Sequence, residues 1–182
     1  MKEIETKILN VDVVRLRELL VKLNFDKVKV EDQINEIYDF ADERLLSAKG
    51  YARIRTIDDH INNKVIYYMT VKKMLSQEKY KIMEENEVVI ANAEEGKKIF
   101  AALGLELVRT VRKYRESYQY KNTLVEIDIN DKNFCPFPYI EIESENEEEL
   151  LEVVELLGYT LKDTTSKTMQ EILQNSDLPK GI

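Results

Sequence analysis

In the first seven residues, Met1-Lys2-Glu3-Ile4-Glu5-Thr6-Lys7, charged and uncharged side chains alternate from Glu3 onward. Successive side chains of a β-strand point to opposite faces, so Glu3, Glu5 and Lys7 share one face of a strand here. Two carboxylates and an ammonium would be costly on a face that packs into a dry core. The stretch therefore predicts a strand whose charged face lines a polar cavity holding metal ions and an anion.

The same arrangement recurs along the chain as pairs of like charges two residues apart. Alternating charge ordinarily indicates a sheet with one solvent-exposed face. Like charges at this spacing repel each other, however, unless something of opposite sign lies between them. The recurrence therefore favours a shared charged cavity. The pairs are Glu3/Glu5, Arg53/Arg55, Glu85/Glu87, Lys113/Arg115, Glu126/Asp128 and Glu141/Glu143.

Composition limits the class of protein. The chain has 182 residues, of which 43% are hydrophobic and 34% charged, so it can bury a core but carries much charge. The formal net charge of -8 argues against non-specific binding to nucleic acid or to an anionic membrane. Cys135 is the single cysteine, which fits a reducing cytoplasm. We see no signal peptide and no apolar run of about 20 residues that would span a membrane.

Periodicity gives a coarse map of the elements. Asp12 is a helix N-cap candidate, and Gly104 closes a second helix. Many antiparallel strands with short returns, together with helices that cover an outer face, predict an α+β fold whose sheet curls into a barrel. We expect one domain over 1–174 and a loose tail over 175–182. Predicted strands are 3–10, 25–30, 33–40, 51–55, 64–73, 79–90, 107–120, 123–130 and 139–143. Predicted helices are 12–24, 93–103, 145–157 and 164–173.

The charges on the predicted inner face do not balance. Six bases and eight acids give a net charge of -2 if all are ionised. A cavity with this charge would repel a polyanion. Bound divalent cations would reverse that sign. Carboxylate oxygens suit Mg²⁺ or Mn²⁺. We therefore expect anion binding to depend on one of these metals. The bases are Lys7, Arg53, Arg55, Lys72, Lys113 and Arg115; the acids are Glu3, Glu5, Glu85, Glu87, Glu126, Asp128, Glu141 and Glu143.

The Glu3-x-Glu5-x-Lys7 motif, followed in order by these charge pairs, resembles the CYTH superfamily of triphosphate tunnel metalloenzymes. The resemblance covers roughly residues 1–173, and Tyr38-Asp39 matches a Tyr-Asp or Phe-Asp pair of the family. It implies a closed tunnel of eight antiparallel strands flanked by helices. It also implies a small-molecule triphosphate as substrate. The chain could act as a homodimer, but the sequence does not fix its oligomeric state.

The resemblance assigns roles to the charged residues. Triphosphate would be bound by the six bases named above, and Glu5, Lys7 and Lys72 are our candidates for direct roles in catalysis. Metal ligands or water-orienting bases would be Glu3, Glu5, Glu85, Glu87, Asp128, Glu141 and Glu143.

The chain departs from the family pattern at several positions. Met83 stands where the family often has an arginine, and Lys81 or Lys79 is the candidate replacement. The loop before the last glutamate pair reads Cys-Pro-Phe-Pro-Tyr where glycine is usual, and Lys167-Thr168-Met169 replaces a common aromatic after Ser166. These changes concern substrate choice more than the metal site.

Several functions remain open at this point. The first is a metal-dependent phosphohydrolase acting on inorganic triphosphate or a nucleoside triphosphate. The second resembles the class IV adenylate cyclases, which convert ATP to cyclic AMP and pyrophosphate in the same tunnel. The third is a non-catalytic module that binds triphosphate or polyphosphate. The fourth is an α+β domain whose charged strand faces have no ligand.

Overall fold

The computed structural model describes the backbone of residues 2–174 and the side chains of residues 4–174. Met1 and the predicted tail over 175–182 lie outside the described residues. The strands are β1 (Lys2–Leu9), β2 (Asp26–Phe40), β3 (Tyr51–Asp59), β4 (Lys64–Gln77), β5 (Lys81–Ile90), β6 (Leu105–Tyr120), β7 (Thr123–Asn130) and β8 (Tyr139–Ser144). The helices are α1 (Val13–Lys22), α2 (Arg44–Ser47), α3 (Ala93–Ala102), α4 (Glu147–Leu156) and α5 (Met169–Gln174), with one 3₁₀ turn at Leu161–Asp163.

The eight strands close into a barrel in the order β1-β5-β4-β3-β2-β6-β7-β8. Every neighbouring pair is antiparallel, and β1 closes the barrel by pairing with β5 on one side and β8 on the other. In a strand paired on both sides, alternate side chains must point either into the barrel or out of it. This architecture confirms the closed eight-stranded antiparallel barrel flanked by helices that the sequence predicts.

Two strand predictions were wrong. The segments 25–30 and 33–40 form one continuous strand, β2, which pairs with β6 along its length and with β3 from Glu31 to Tyr38. Glu31 and Asp32 interrupt the apolar pattern there, but their backbones stay in the ladder because both neighbours supply hydrogen-bond partners. Strand β3 likewise continues to Asp59, through residues that the sequence assigned to a loop.

Helices cover the outside of the barrel. Leu16 and Leu20 of α1 and Leu150 of α4 join one buried cluster with outward side chains of β7 and β8. Helix α3 packs over a second cluster through Phe100. A Cβ on Gly96 of α3 would lie 2.6 Å and 2.8 Å from the terminal methyl groups of two isoleucines of the sheet, so a larger residue there would require these side chains to shift. No helix among residues 2–174 is long and apolar enough to cross a membrane.

The last predicted helix, over 164–173, was also placed wrongly. The described helix α5 begins only at Met169. Before it, the backbone of Thr165 pairs with that of Lys7 through two hydrogen bonds of 3.0 Å and 2.9 Å. The chain therefore returns to strand β1 before it turns into α5, which brings α5 to one end of the barrel.

One ionic cluster fastens helix α1 to the outside of strand β6. The Glu116 carboxylate accepts hydrogen bonds from Arg17 of α1, at 2.8 Å and 3.1 Å, and from the hydroxyls of Tyr114 and Tyr118, both at 2.8 Å. Lys27 adds a contact of 3.3 Å. Burial alone would raise the pKa of Glu116, but these donors lower it to about 2. The ionised carboxylate therefore stabilises the fold.

We expect Glu116→Gln to lower the free energy of unfolding by about 2 kcal/mol at pH 7, because a charged acceptor of several hydrogen bonds is lost. A depressed folded pKa contributes stability that is present above the ordinary value of 4.5 and is lost as pH falls through about 2. The difference between wild type and variant should therefore shrink between pH 4.5 and pH 2. Urea unfolding at several pH values measures it, with exposed Glu18→Gln of α1 as control. A pH-independent difference would contradict the cluster's ionic role.

Candidate functional site: a charged tunnel through the barrel

The inside of the barrel is a cavity of about 360 Å³ whose wall carries many charged side chains. All six predicted phosphate-binding bases line it, although they come from β1, β3, β4 and β6. Glu5, Glu126, Glu141 and Glu143 line it as well. Strand alternation thus places the charged members of these strands on the inside. The bases are Lys7, Arg53, Arg55, Lys72, Lys113 and Arg115.

The acids of the predicted set fall into three groups. Glu5, Glu126, Glu141 and Glu143 lie on the adjacent strands β1, β7 and β8, where Glu5 stands opposite Glu143 and Glu126 opposite Glu141. Glu85, Glu87 and Asp128 lie next to bases of the wall. The side chain of Glu3 lies outside the described residues, although its backbone pairs with that of Met83.

Arg115 is held by three carboxylates. It contacts Asp128 through two hydrogen bonds of 2.6 Å, contacts Glu141 at 2.8 Å, and also pairs with Glu126. Burial would raise the pKa of Asp128, but Arg115 and Lys113 keep it below its usual range. The same carboxylates raise the pKa of Arg115 well above its ordinary value, against the effect of burial. Arg115 and these three carboxylates form one ionic network inside the barrel.

Lys7 and Glu5 form a second network beside it. Lys7 Nζ lies 2.5 Å from Glu5 and 3.2 Å from Glu141, and Lys81 Nζ lies 2.5 Å from Glu5. Burial alone would raise the pKa of Glu5, but Lys7 and Lys81 lower it to about 2. Lys7 in turn has a raised pKa, because Glu5 and Glu141 outweigh its burial. Both groups are therefore ionised at neutral pH.

The third network lies on β3, β4 and β5. Arg53 contacts Glu85 at 3.2 Å and Glu87 at 3.3 Å, and Lys72 pairs with Glu85. The pKa of Lys72 is raised against the effect of burial, with Tyr51 and Glu85 among the causes. Like Lys7, Lys72 therefore stays cationic at neutral pH.

Arg55 differs from these bases. Among the described residues no carboxylate lies within ion-pair distance of it, and its side chain bonds only Asn35, at 3.0 Å. Burial, together with the nearby charges of Arg53 and Arg115, lowers the pKa of Arg55 to about 10. Arg55 is thus a desolvated cation in a positive field, which is the environment that an anion would relieve.

Sequence reasoning missed several residues of the wall. Arg109 lines the tunnel in phase with Lys113 and Arg115, so the alternation of β6 contained the signal. Its guanidinium also pairs with no carboxylate in the described part of the chain. Tyr51 and Lys49 line the wall too, although neither belongs to a like-charge pair.

The replacement for the missing arginine at Met83 is Lys81. Met83 is fully buried on the tunnel wall, and Lys81, two residues before it, reaches Glu5 inside. Lys79 instead contacts Glu147 on the outer surface, at 2.7 Å. The Tyr38-Asp39 pair serves the fold: Tyr38 packs on Phe100 outside the barrel. Asp39 accepts backbone hydrogen bonds from the start of α2.

The predicted negative balance of the cavity was wrong. Among the described residues of the wall, nine are Lys or Arg and five are acids, so its formal charge is +4. The earlier count left out Lys49, Lys81, Arg109 and Glu171. It included Glu85, Glu87 and Asp128, which do not line the cavity, and Glu3, whose side chain lies outside the described residues. Charge alone therefore does not require a metal before an anion enters.

The donor set nevertheless suits a divalent cation. Four carboxylates on three adjacent strands offer oxygen ligands of the kind that Mg²⁺ and Mn²⁺ prefer. Within residues 4–174, no three acidic, histidine or cysteine side chains converge into a ready-made metal cage. Lys7, Lys81 and Arg115 occupy carboxylate oxygens instead. A metal held by Glu5, Glu141 and Glu143 would therefore have to displace ammonium contacts.

Fold and wall together define a class of protein: a β-barrel tunnel that presents buried cations and carboxylates to a small charged ligand. The CYTH domain family model matches residues 1–169, and the chain belongs to this family.

Comparison with individual proteins agrees with that membership. The chain is 27% identical over 181 residues to MJ0240 of Methanocaldococcus jannaschii, which bears a provisional adenylate cyclase name; 94% of this chain and 98% of that protein are covered. PH1012 from Pyrococcus horikoshii has the same fold, with a TM-score of 0.75 and 23% identity over 93% of this chain and 98% of that one. HpAC1 from Hippeastrum, reported with a dominant triphosphatase activity, gives a TM-score of 0.68 at 17% identity, covering 97% and 96%.

Proposed function

We propose that this protein is a metal-dependent phosphohydrolase that binds inorganic triphosphate or a nucleoside triphosphate inside the barrel. One observation carries the proposal: buried bases converge on one cavity, and Arg55 and Arg109 among them have no carboxylate partner in the described chain. A guanidinium is the side chain best suited to bidentate contacts with phosphate oxygens. Family membership and the triphosphatase reported for HpAC1 support this reading.

The roles of the bases follow from their protonation. Lys7 and Lys72 have raised pKa values, so they act as fixed positive charges rather than as proton donors. In phosphoryl transfer, catalysis consists mainly of positioning and of stabilising charge on the transferred group. We assign both lysines to that task, with Arg53, Arg55, Lys113 and Arg115 holding the remaining phosphate oxygens.

The carboxylates have a separate role. Glu5, Glu141 and Glu143 would hold Mg²⁺ or Mn²⁺, which when bound neutralises phosphate charge and polarises the phosphoryl group. Although burial raises the pKa of Glu5, its contacts with Lys7 and Lys81 lower that pKa to about 2 and so keep the carboxylate ionised. An ionised carboxylate can orient an attacking water by accepting its hydrogen bond.

An adenylate cyclase of class IV type is the second candidate. Apolar side chains line the tunnel at the end where α2, α5 and the 131–138 loop meet, among them Ile37, Leu46, Val111, Phe134 and Met169. Such a lining favours a substrate with an organic group beyond its phosphates. The provisional name of the Methanocaldococcus relative points the same way.

Product analysis separates these functions. The protein is stripped with chelator, given Mg²⁺ or Mn²⁺, and supplied separately with inorganic triphosphate and ATP. We expect phosphate release only with metal, and at least a tenfold loss of turnover in Glu5→Gln, because an orienting carboxylate is replaced by a neutral amide. Cyclic AMP with pyrophosphate from ATP would establish the cyclase instead. If neither product forms but triphosphate raises the melting temperature, the protein is a binding module. Turnover in excess chelator would refute metal dependence.

A further inference from the structure

A ladder of polar side chains runs along the inside of strand β2. Its members, Glu31, Gln33 and Asn35, are 7%, 2% and 6% exposed. They are two residues apart, so all three point into the barrel. None belongs to a like-charge pair, and the backbone pairing of β2 with its neighbouring strands does not depend on which side chains stand at these positions. We call Glu31, Gln33 and Asn35 the β2 ladder.

The β2 ladder is hydrogen-bonded from end to end. Gln33 Nε2 donates to the Glu31 carboxylate at 2.5 Å. Asn35 Nδ2 donates to Gln33 Oε1 at 3.5 Å, which is the longest link. Arg55 Nε, from the adjacent strand β3, donates to Asn35 Oδ1 at 3.0 Å. The chain of donors therefore leads from a tunnel guanidinium to a carboxylate.

The carboxylate sets the direction of every bond in this chain. An ionised carboxylate only accepts hydrogen bonds, whereas an amide can present either its oxygen or its nitrogen. Because Glu31 accepts, Gln33 must turn its NH₂ group towards it and its oxygen towards Asn35. Asn35 must then turn its NH₂ group towards Gln33 and its oxygen towards Arg55. With a neutral amide at position 31, both orientations of the ladder become available.

This direction matters because Arg55 has no other side-chain partner among the described residues. The Asn35 oxygen anchors Arg55 by its Nε and leaves the terminal nitrogens for a ligand. An anchored guanidinium loses less conformational entropy than a free one when it forms a bidentate contact with a phosphate group. If Asn35 turned its NH₂ group to Arg55, two donors would face each other and the guanidinium would lose its anchor.

We propose that Glu31 is a positioning residue for triphosphate binding: through Gln33 and Asn35 it fixes the Arg55 guanidinium in the orientation that receives a phosphate group. The inference rests on the proposed function of the tunnel and adds three residues to it. Glu31 itself touches no ligand in this proposal.

The test is a double-mutant cycle read by calorimetric binding of inorganic triphosphate with Mg²⁺ to the full chain. We expect Glu31→Gln to weaken binding about tenfold in the wild-type background, and to have no further effect in an Arg55→Gln background. Where activity is present, KM should rise while kcat changes little. The matched control is Glu36→Gln, the same substitution on the outer face of the same strand, where Glu36 pairs with Lys97 at 2.9 Å; it should bind like wild type.

A second readout needs no ligand. The Arg55 Nε–H proton should exchange with water faster in Glu31→Gln than in wild type, as measured by nuclear magnetic resonance. Gln33→Leu breaks the ladder without changing its charge, should have the same two effects, and serves if Glu31→Gln does not fold.

Three results would overturn the inference. One is wild-type affinity in Glu31→Gln, and another is a tenfold loss that persists in the Arg55→Gln background, since Glu31 would then act through another residue. An unchanged Nε–H exchange rate is the third. If the wild-type protein binds no triphosphate, both the proposed function and the positioning role fail. If the wild-type protein binds triphosphate and Glu31→Gln binds it equally well, only the positioning role fails and the proposed function stands.

Discussion

Replacing Arg115 with alanine should lower the free energy of unfolding by about 3–5 kcal/mol. Arg115 neutralises Glu126, Asp128 and Glu141 inside the barrel, and Asp128 has no exposed surface. Removing one side of a buried ionic network leaves the other side desolvated and uncompensated, and that penalty is the reason for the large effect. Urea unfolding followed by circular dichroism measures it.

Arg112 supplies the matched control for this prediction. It lies on the same strand, is exposed, and points away from the tunnel. Arg112→Ala should change the free energy of unfolding by less than about 0.5 kcal/mol. Should Arg115→Ala be as stable as Arg112→Ala, the network around Asp128 would not stabilise the fold.

Replacing Arg55 with glutamine should have the opposite effect on stability and a large effect on binding. Burial and neighbouring cations lower the pKa of Arg55 to about 10, so its charge is disfavoured in the ligand-free barrel. We expect a higher melting temperature without ligand, and roughly 100-fold weaker binding of triphosphate, because a two-pronged contact to phosphate is lost.

The pH dependence of folding stability tests the predicted direction of the Arg55→Gln effect. A base with a lowered folded pKa binds fewer protons in the folded state, so stability rises with pH above about 10. Below that pH its penalty is fully present. The stabilisation of Arg55→Gln should therefore be visible at pH 7, by thermal unfolding and calorimetry. A lower melting temperature with unchanged triphosphate affinity would refute the role of Arg55; Arg112→Gln is the control.

These two arginines show what a sequence can and cannot specify. Strand alternation was enough to place Arg55 and Arg115 on the same wall, because the period of two admits only two faces. Alternation could not predict that Arg115 contacts three carboxylates while Arg55 contacts none among the described residues. Those neighbours come from β7 and β8 in one case and from β2 in the other, and their register follows from tertiary pairing.

The missed residues have different causes. Arg109 was in phase with Lys113, but the in-phase residue between them is Val111, so Arg109 belongs to no pair of like charges two residues apart. The sequence did not predict the β2 ladder, because Gln33 and Asn35 are neutral and form no pair of like charges. The position of Glu116 outside the barrel follows from alternation with Arg115, whereas its partner Arg17 is brought to it only by the docking of α1.

Because β1 closes the barrel, it pairs with a strand that is synthesised much later. Ile4 pairs with Ser144, and the whole of β8 follows the other seven strands along the chain. At a synthesis rate of roughly 5–20 residues per second, β1 would emerge from the ribosome about 7 to 27 seconds before β8. During that interval Glu5 and Lys7 lack Glu141 and Glu143 beside them. We expect slow, late folding with a high contact order, and a nascent chain whose charged inner face stays hydrated until the last strand arrives.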